Sequence, residues 1–367
     1  MMRISLPVPG LEENSTDRRS FLRRAAALGA GTALLAGCSP GGEEQASTPA
    51  DSTSTGHNHG PSPVNNDDAA GAGTPVPSHG APALQAEAPY KRYDPALPPL
   101  SPERTVNIQM TARELNLHIT KDVVVPAWTF NGTVPGPIVH VRQGDTVHFT
   151  LRNEGRLPHS MDFHAAQIDP KTAFRSIVPG QEVSFTFQPK HAGAFMYHCG
   201  TQPVLMHIGS GMYGAIIVDP PTPLPQAKEF VLVQSEFYVG KDASGKPSLD
   251  YQRMLSTMPD YVSFNGIAGQ YQEEPIVVKK GDRVRFYVVS AGPTHPCNFH
   301  IVGEQFDAVY LGAPPGNPIR GVQTFSVPPG GGMVFELDCD VAGEFPFVNH
   351  GFGHGQKGLI GILVVES

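Results

Sequence analysis

Charge is scarce in this chain. Asp, Glu, Lys and Arg make up 16% of its 367 residues, below the share of about 25% usual in globular proteins. The charge present leans acidic, at a formal net −8, so the basic footprint of a general nucleic-acid binder is missing. Cysteine is scarce as well, and four residues exclude a scaffold built from disulfides. No apolar run approaches the roughly 18 residues of a membrane-spanning helix. No stretch sustains helical apolar periodicity, which leaves helix bundles unsupported. In contrast, 40 Gly and 37 Pro point to turn-rich β structure, and 15 His invite a search for metal or proton chemistry.

The first segment reads as an address. Asp17-Arg18-Arg19-Ser20-Phe21-Leu22-Arg23 fits a twin-arginine export signal, followed by a short apolar stretch from Ala25 to Ala36. Leu35-Ala36-Gly37-Cys38 is similar to a bacterial lipoprotein box, which makes Cys38 the expected lipidation site. Residues 1–38 are thus expected to be a signal peptide, with the mature protein extracytoplasmic and held to the membrane by lipid alone. Residues 39–103 are rich in Gly, Pro, Ser, Thr, Ala and Asp. Large apolar residues are almost absent, too few to offset chain entropy, and the segment reads as a disordered tether.

From about Arg104 the chain becomes a series of short alternating or β-branched runs separated by Gly, Pro and Asn. Examples are Val147-His148-Phe149-Thr150-Leu151 and Val183-Ser184-Phe185-Thr186-Phe187. An internal repeat organises them. Phe130-Asn131-Gly132 recurs as Phe264-Asn265-Gly266, and Gly144-Asp145 as Gly281-Asp282. His159 and His164 recur as His295 and His300, and Ala192-Gly193-x-Phe195 as Ala342-Gly343-x-Phe345. The chain is therefore expected to be all-β, with two tandem Greek-key barrel or sandwich domains at 104–220 and 228–367.

The first repeat holds His159, Cys199, His207 and Met212. One thiolate, two imidazoles and a thioether form the ligand set of a mononuclear blue-copper electron-transfer site. Parity sorts the remaining residues, because adjacent side chains of a strand face opposite ways. His198 faces away from Cys199, and His164 away from His159, while Asp162 shares the face of His164. In the second repeat Asn349 stands where Cys199 stood, so the blue-copper set is lost there. His350 follows it, on the face opposite Asn349. His164, His198 and His350 would complete a three-imidazole centre between two domains, the form of a catalytic metal site. The adjoining blue-copper set favours copper over zinc, since the Cys199-His198 dipeptide is a short through-bond path for an electron.

These residues strongly resemble the copper-containing nitrite reductases across both β domains. The resemblance rests on His159-Ser-Met-Asp162-Phe-His164-Ala-Ala, Tyr197-His198-Cys199, His207-x4-Met212-x-Gly-Ala and Val348-Asn349-His350. It implies two cupredoxin domains, a homotrimer and two coppers per chain. It implies type 1 copper at His159, Cys199, His207 and Met212. It also implies type 2 copper at His164 and His198, completed by His350 of a neighbouring subunit. Proton delivery then falls to Asp162 and His300, in a one-electron reduction of nitrite to nitric oxide. The expected electron donor is a cytochrome c or a small cupredoxin.

Departures from the family pattern are Gln305, where relatives often carry a further His, and a Cys199-to-His207 loop about one residue shorter than in many. Cys297 and Cys339 should lie roughly 20 Å apart on the strand rise, beyond disulfide reach, which favours two buried thiols. Two rivals remain. A laccase-like oxidase would need several His-x-His pairs, yet His164-Ala-Ala and His300-Ile-Val break that pattern. An electron-transfer or copper-holding lipoprotein would not need Asp162 or His300.

Overall fold

The computed structural model describes residues 90–367. The twin-arginine segment, Cys38 and the first part of the tether lie outside the described residues. The first half of the β region forms eight strands: β1 (Thr105–His118), β2 (Val124–Phe130), β3 (Val139–Arg142), β4 (Thr146–Asn153), β5 (Asp162–Phe163), β6 (Glu182–Phe187), β7 (Gly193–His198) and β8 (Tyr213–Asp219). They build two sheets, ordered β2-β1-β4-β6 and β3-β8-β7-β5. Strand β4 shows why. Val147, Phe149 and Leu151 are buried in the core, while His148 and Arg152, on the alternate face, are exposed.

The second half repeats the plan. Its strands are β9 (Lys228–Phe237), β10 (Val239–Lys241), β11 (Pro247–Leu249), β12 (Tyr261–Phe264), β13 (Ile276–Lys279) and β14 (Arg283–Gly292). Then come β15 (Cys297–Ile301), β16 (Ala308–Tyr310), β17 (Thr324–Val327), β18 (Gly332–Asp338), β19 (Gly343–Asn349) and β20 (Ile360–Glu366). Two five-stranded sheets result, β12-β9-β14-β18-β16 and β13-β20-β19-β15-β17, beside a β10-β11 hairpin. The parallel pairs β1–β4 and β3–β8 recur as β9–β14 and β13–β20.

The repeat extends to single turns. Asn131 and Asn265 take φ of 55° and 56°, and the glycines after them 78° and 79°. The left-handed pair suits Asn-Gly. Each Asn carboxamide oxygen accepts a 2.7 Å hydrogen bond from the neighbouring strand of its sheet, from Thr111 N–H of β1 and from Val233 N–H of β9. Gly266 also makes a domain contact. A Cβ there would sit 1.9 Å from the Val134 carbonyl oxygen, so only glycine lets the two domains approach at this point.

Each domain has its own core, and a third core lies between them. Ala194, Met196, Ala215 and Ile217 of the first domain pack with Val231, Val233, Val289 and Val334 of the second. Strand β8 is therefore covered on both faces and reads as a continuous apolar run. In β7, Tyr197 and the following Cys199 face the first domain's core, while Ala194 and Met196 face the second domain. His198 ends the strand on the Ala194–Met196 face, as parity required.

The sheet β13-β20-β19-β15-β17 is the far layer of the second domain. Ile276, Val278, Phe347, Leu363 and Val365 point into the core. The alternate residues Val277, Pro346, Val348, Ile360, Ile362 and Val364 fall on the outer face. Of this apolar row, Val348 alone is buried by the described residues; Val277 is exposed and the rest are half-buried.

One expectation needs correction. The tether does not run to residue 103, because from Tyr90 onward the chain is docked on both domains. Ala96 bridges Phe230, and Leu97 N–H donates to Glu229 O at 3.0 Å. Tyr93 N–H donates to the Gln270 side chain at 2.7 Å, and its hydroxyl to Gly136 O. The physical reason is local: Tyr90, Tyr93 and Leu97 supply the anchors that the upstream composition lacks. Cys297 and Cys339 are both buried free thiols, as the strand geometry required.

His140 ties this segment to the end of the first domain. Its Nδ1 donates to Pro98 O at 2.7 Å, and Nε2 lies 3.1 Å from Asp219. Burial opposes the charged ring, but Asp219 outweighs it and raises the His140 pKa above 6.5. A raised histidine stabilises the fold fully below its unfolded pKa, and that contribution fades as pH rises through the folded value. Thermal unfolding should therefore show a loss of stability from mildly acidic to mildly alkaline pH that is reduced in His140→Phe. Equal losses in both proteins would refute the role.

Candidate metal centres

Among the described residues two groups of side chains converge as metal ligands do: His159, Cys199 and His207, and Asp162, His164 and His198. Within each group the ligand atoms lie within 4.8 Å of one another.

The first group is built at the end of the first domain's core. His159 is fixed ahead of β5 by paired backbone bonds with Ile177 of 3.0 and 2.8 Å. Cys199 follows β7, and His207 lies on the short helix Val204–Gly209. Met212 closes the loop. Cys199 N–H donates to Met212 O and Met212 N–H to His207 O, each at 3.1 Å. His159, Cys199 and Met212 are fully buried, and His207 is 4% exposed.

The hydrogen bonding leaves this site with unused lone pairs. His159 Nε2 faces the Glu114 carboxylate at 3.4 Å, while its Nδ1 is buried without a partner. His207 has carbonyl oxygens near both nitrogens, Pro158 O at 3.2 Å and Pro203 O at 3.1 Å. Burial lowers its pKa, so the ring holds one proton and cannot satisfy both. Burial pushes the Cys199 thiol up, but the contact with His159 and the N–H groups of Ser160 and Thr201 bring it below its ordinary value. A buried nitrogen with no partner beside an acidified thiol fits a soft metal ion. The chain's single tryptophan, Trp128, packs edge-on to the His207 and His159 rings, with centroids 4.8 and 5.9 Å away.

The second group lies on the opposite face of the same strand. Asp162 pairs with His198 across β5 and β7, and His164 N–H donates to Met196 O at 3.0 Å. His164 Nδ1 donates to Gly330 O, and His198 Nδ1 to Cys199 O, each at 2.9 Å. A carbonyl only accepts, so both protons sit on Nδ1 and both Nε2 atoms carry lone pairs. Those two Nε2 atoms face each other at 3.0 Å. Opposed lone pairs repel, and a cation between them turns the repulsion into coordination. Asp162 Oδ2 stands 3.9 Å from His198 Nε2. Burial first, and the neighbouring His164 second, lower the His198 pKa and keep it a neutral ligand.

Within one chain His350 does not join this pair. It stands exposed at the end of β19, with its ring 5.2 Å from that of His300. His300 pairs with Val348 on the outer face of the far sheet, a sheet layer away from the first domain. His300 Nδ1 donates to Gln323 O at 2.6 Å. A backbone carbonyl therefore orients the His300 ring.

The second domain keeps the first group's backbone without its chemistry. Asn349 N–H donates to Leu359 O, and Leu359 N–H to His354 O, repeating the Cys199–Met212–His207 loop. The Asn349 amide donates instead to Gln234 and Pro296 O, at 3.1 and 2.9 Å. Neither a thiolate nor a thioether remains. Sequence reasoning missed Glu114 and Trp128 in the first site and the Gly330 carbonyl in the second. Nothing in the local pattern marks them, since each is brought in by tertiary packing.

Residues 111–223 match one multicopper oxidase family model and residues 244–367 another. The copper-containing nitrite reductase of Neisseria meningitidis is 38% identical over 271 residues, covering 71% of this chain and 70% of the relative. That of Cereibacter sphaeroides is 30% identical over 285 residues, covering 71% and 76%. A solved copper nitrite reductase from Nitrosomonas europaea superposes with a TM-score of 0.67 at 36% identity, covering 72% of this chain and 94% of its own. Two cupredoxin domains, a soft ligand group and an imidazole pair on opposite faces of one strand agree with these matches: the chain belongs to the copper-containing nitrite reductases, oxidoreductases of the multicopper oxidase family.

Proposed function

We propose that this protein reduces nitrite to nitric oxide and water, consuming one electron and two protons. The observation that carries the reading is the Cys199-His198 dipeptide. It joins a buried thiolate site to an imidazole pair whose lone pairs oppose each other, with a carboxylate alongside. Copper, which His159, Cys199, His207 and Met212 would hold at one site and His164 and His198 at the other, would supply one-electron chemistry and an open position for an anion. The chain's own residues do the rest. The peptide between Cys199 and His198, shortened by the His198 Nδ1–H bond to Cys199 O, gives the electron a continuous covalent route. Asp162, on the His198 side of the strand, holds a proton for the departing oxygen. His300, oriented by Gln323 O, holds the other.

The third imidazole, His350, is read as coming from a neighbouring subunit. Two observations support this. His350 and His300 sit together at the edge of the apolar face formed by Val277, Pro346, Val348, Ile360, Ile362 and Val364, of which Val348 alone is buried by the described residues. A sheet face turned to water normally shows polar residues. By the internal repeat this face corresponds to the first-domain face that carries His198 and is covered by the second domain. A head-to-tail contact between the two faces closes into a ring, and a homotrimer is the proposed form. The proposed donor is a cytochrome c or a small cupredoxin docking near His207. Twin-arginine export and a lipid anchor at Cys38 complete the reading and rest on the sequence motifs alone.

Copper-loaded protein with a reduced dye should generate nitric oxide from nitrite without oxygen. His350→Ala should keep the blue absorption and lose almost all nitric oxide. Inactivity with two coppers per chain would refute nitrite as substrate. Inactivity with one copper would favour the electron-carrying reading.

A further inference from the structure

We infer that Glu114 is a positioning residue of the Cys199 site: its carboxylate, clamped by backbone N–H groups, holds the far nitrogen of His159 and lowers the site's reduction potential. The inference rests on reading His159, Cys199, His207 and Met212 as a copper site.

Glu114 occupies an odd place for a carboxylate. Met110 and Ala112, four and two residues before it on β1, point into the first domain's core. Glu114 continues that inward row, and its side chain is 8% exposed. A buried carboxylate is costly unless it is hydrogen-bonded. Here Oε1 accepts from Arg156 N–H at 2.9 Å and Leu157 N–H at 3.2 Å, and Oε2 accepts from Arg156 N–H at 3.0 Å. Gly155 leaves the room this takes, since a Cβ there would lie 2.7 Å from Oε1. Among the described residues, this clamped carboxylate reaches the His159 side chain at hydrogen-bond range, through Nε2 at 3.4 Å. The donors around it are N–H groups, the bonds that an ionised carboxylate accepts.

Two consequences follow for the site. First, the carboxylate takes the proton on Nε2 and leaves Nδ1, the buried nitrogen with no partner, as the ligating atom. An acceptor behind a ligating imidazole fixes its tautomer and ring angle and raises its basicity. Second, a fixed negative charge in a buried setting favours the more positive, oxidised state of the metal. It makes the site a stronger reductant toward the imidazole centre. The companion ligand His207 has only backbone carbonyls behind it, so this effect enters through one ligand.

The test is the reduction potential of the Cys199 site in copper-loaded protein, followed through its blue absorption. Glu114→Gln keeps the shape and removes the charge. It is expected to retain the blue band and shift the potential upward, with Glu114→Asp returning part of the way. Gly155→Ala displaces the carboxylate while keeping the charge and should shift the potential the same way, so the test survives poor folding of Glu114→Gln. A merely structural Glu114 would alter the melting temperature and leave the potential in place. A blue wild type whose potential matches that of Glu114→Gln would overturn the inference alone. A copper-loaded wild type with no blue band would overturn the copper reading and this inference with it.

Discussion

Cys199→Ser is expected to abolish the blue absorption and reduce donor-driven nitrite reduction to background, while copper at His164 and His198 remains. Serine is nearly isosteric, so the fold should tolerate it. The chemistry does not survive. A hydroxyl is hard and stays protonated at this depth, whereas the Cys199 thiol is held below its ordinary pKa by His159 and two N–H donors. Without the thiolate, two buried imidazoles and a thioether hold copper weakly. Copper analysis should fall from two ions per chain to one, with electron paramagnetic resonance showing the imidazole-bound signal alone. Blue colour in the serine variant would refute the assignment of Cys199 as the thiolate ligand.

Asp162→Asn is the second large effect. The variant keeps the size of the side chain and an acceptor oxygen 3.9 Å from His198 Nε2. It loses the ability to carry a proton. Removing a positioned proton donor typically lowers turnover by about 10²–10⁴-fold. Both coppers should bind and the blue absorption should be unchanged, because Asp162 lies on the opposite face of the strand from Cys199. Steady-state kinetics on fully loaded protein decide the matter. A loss of less than a few-fold would move the proton role to other groups, His300 first.

How much of this was legible in the chain depends on range. The parity argument around His198 and Cys199 held because β7 is a regular strand. Ala194 and Met196 fall on one side, Tyr197 and Cys199 on the other, and no long-range contact can reverse that alternation. The repeat held for a similar reason. Asn-Gly at 131–132 and 265–266 prefers the same left-handed turn in both domains. Composition averaged over 39–103 hides Tyr90, Tyr93 and Leu97, three residues that dock the end of that segment. Gln305 drew attention in sequence, yet the Gln323 backbone carbonyl holds His300. A backbone acceptor leaves no trace in residue identity.

The amino-acid sequence by itself determined the chemistry available: a thiolate, a thioether, imidazoles on defined sides of strands, and two copies of one β plan, of which the second lacks the thiolate. These follow from residue type and from a side-chain period of two, both local properties. The tertiary structure alone decided which lone pairs are left without a proton, that Glu114 rather than a carbonyl backs His159, and that His350 and His300 stand on the outer face of the second domain. Those depend on how sheets stack and which backbone carbonyls arrive beside a ring, and such contacts join residues far apart in the chain.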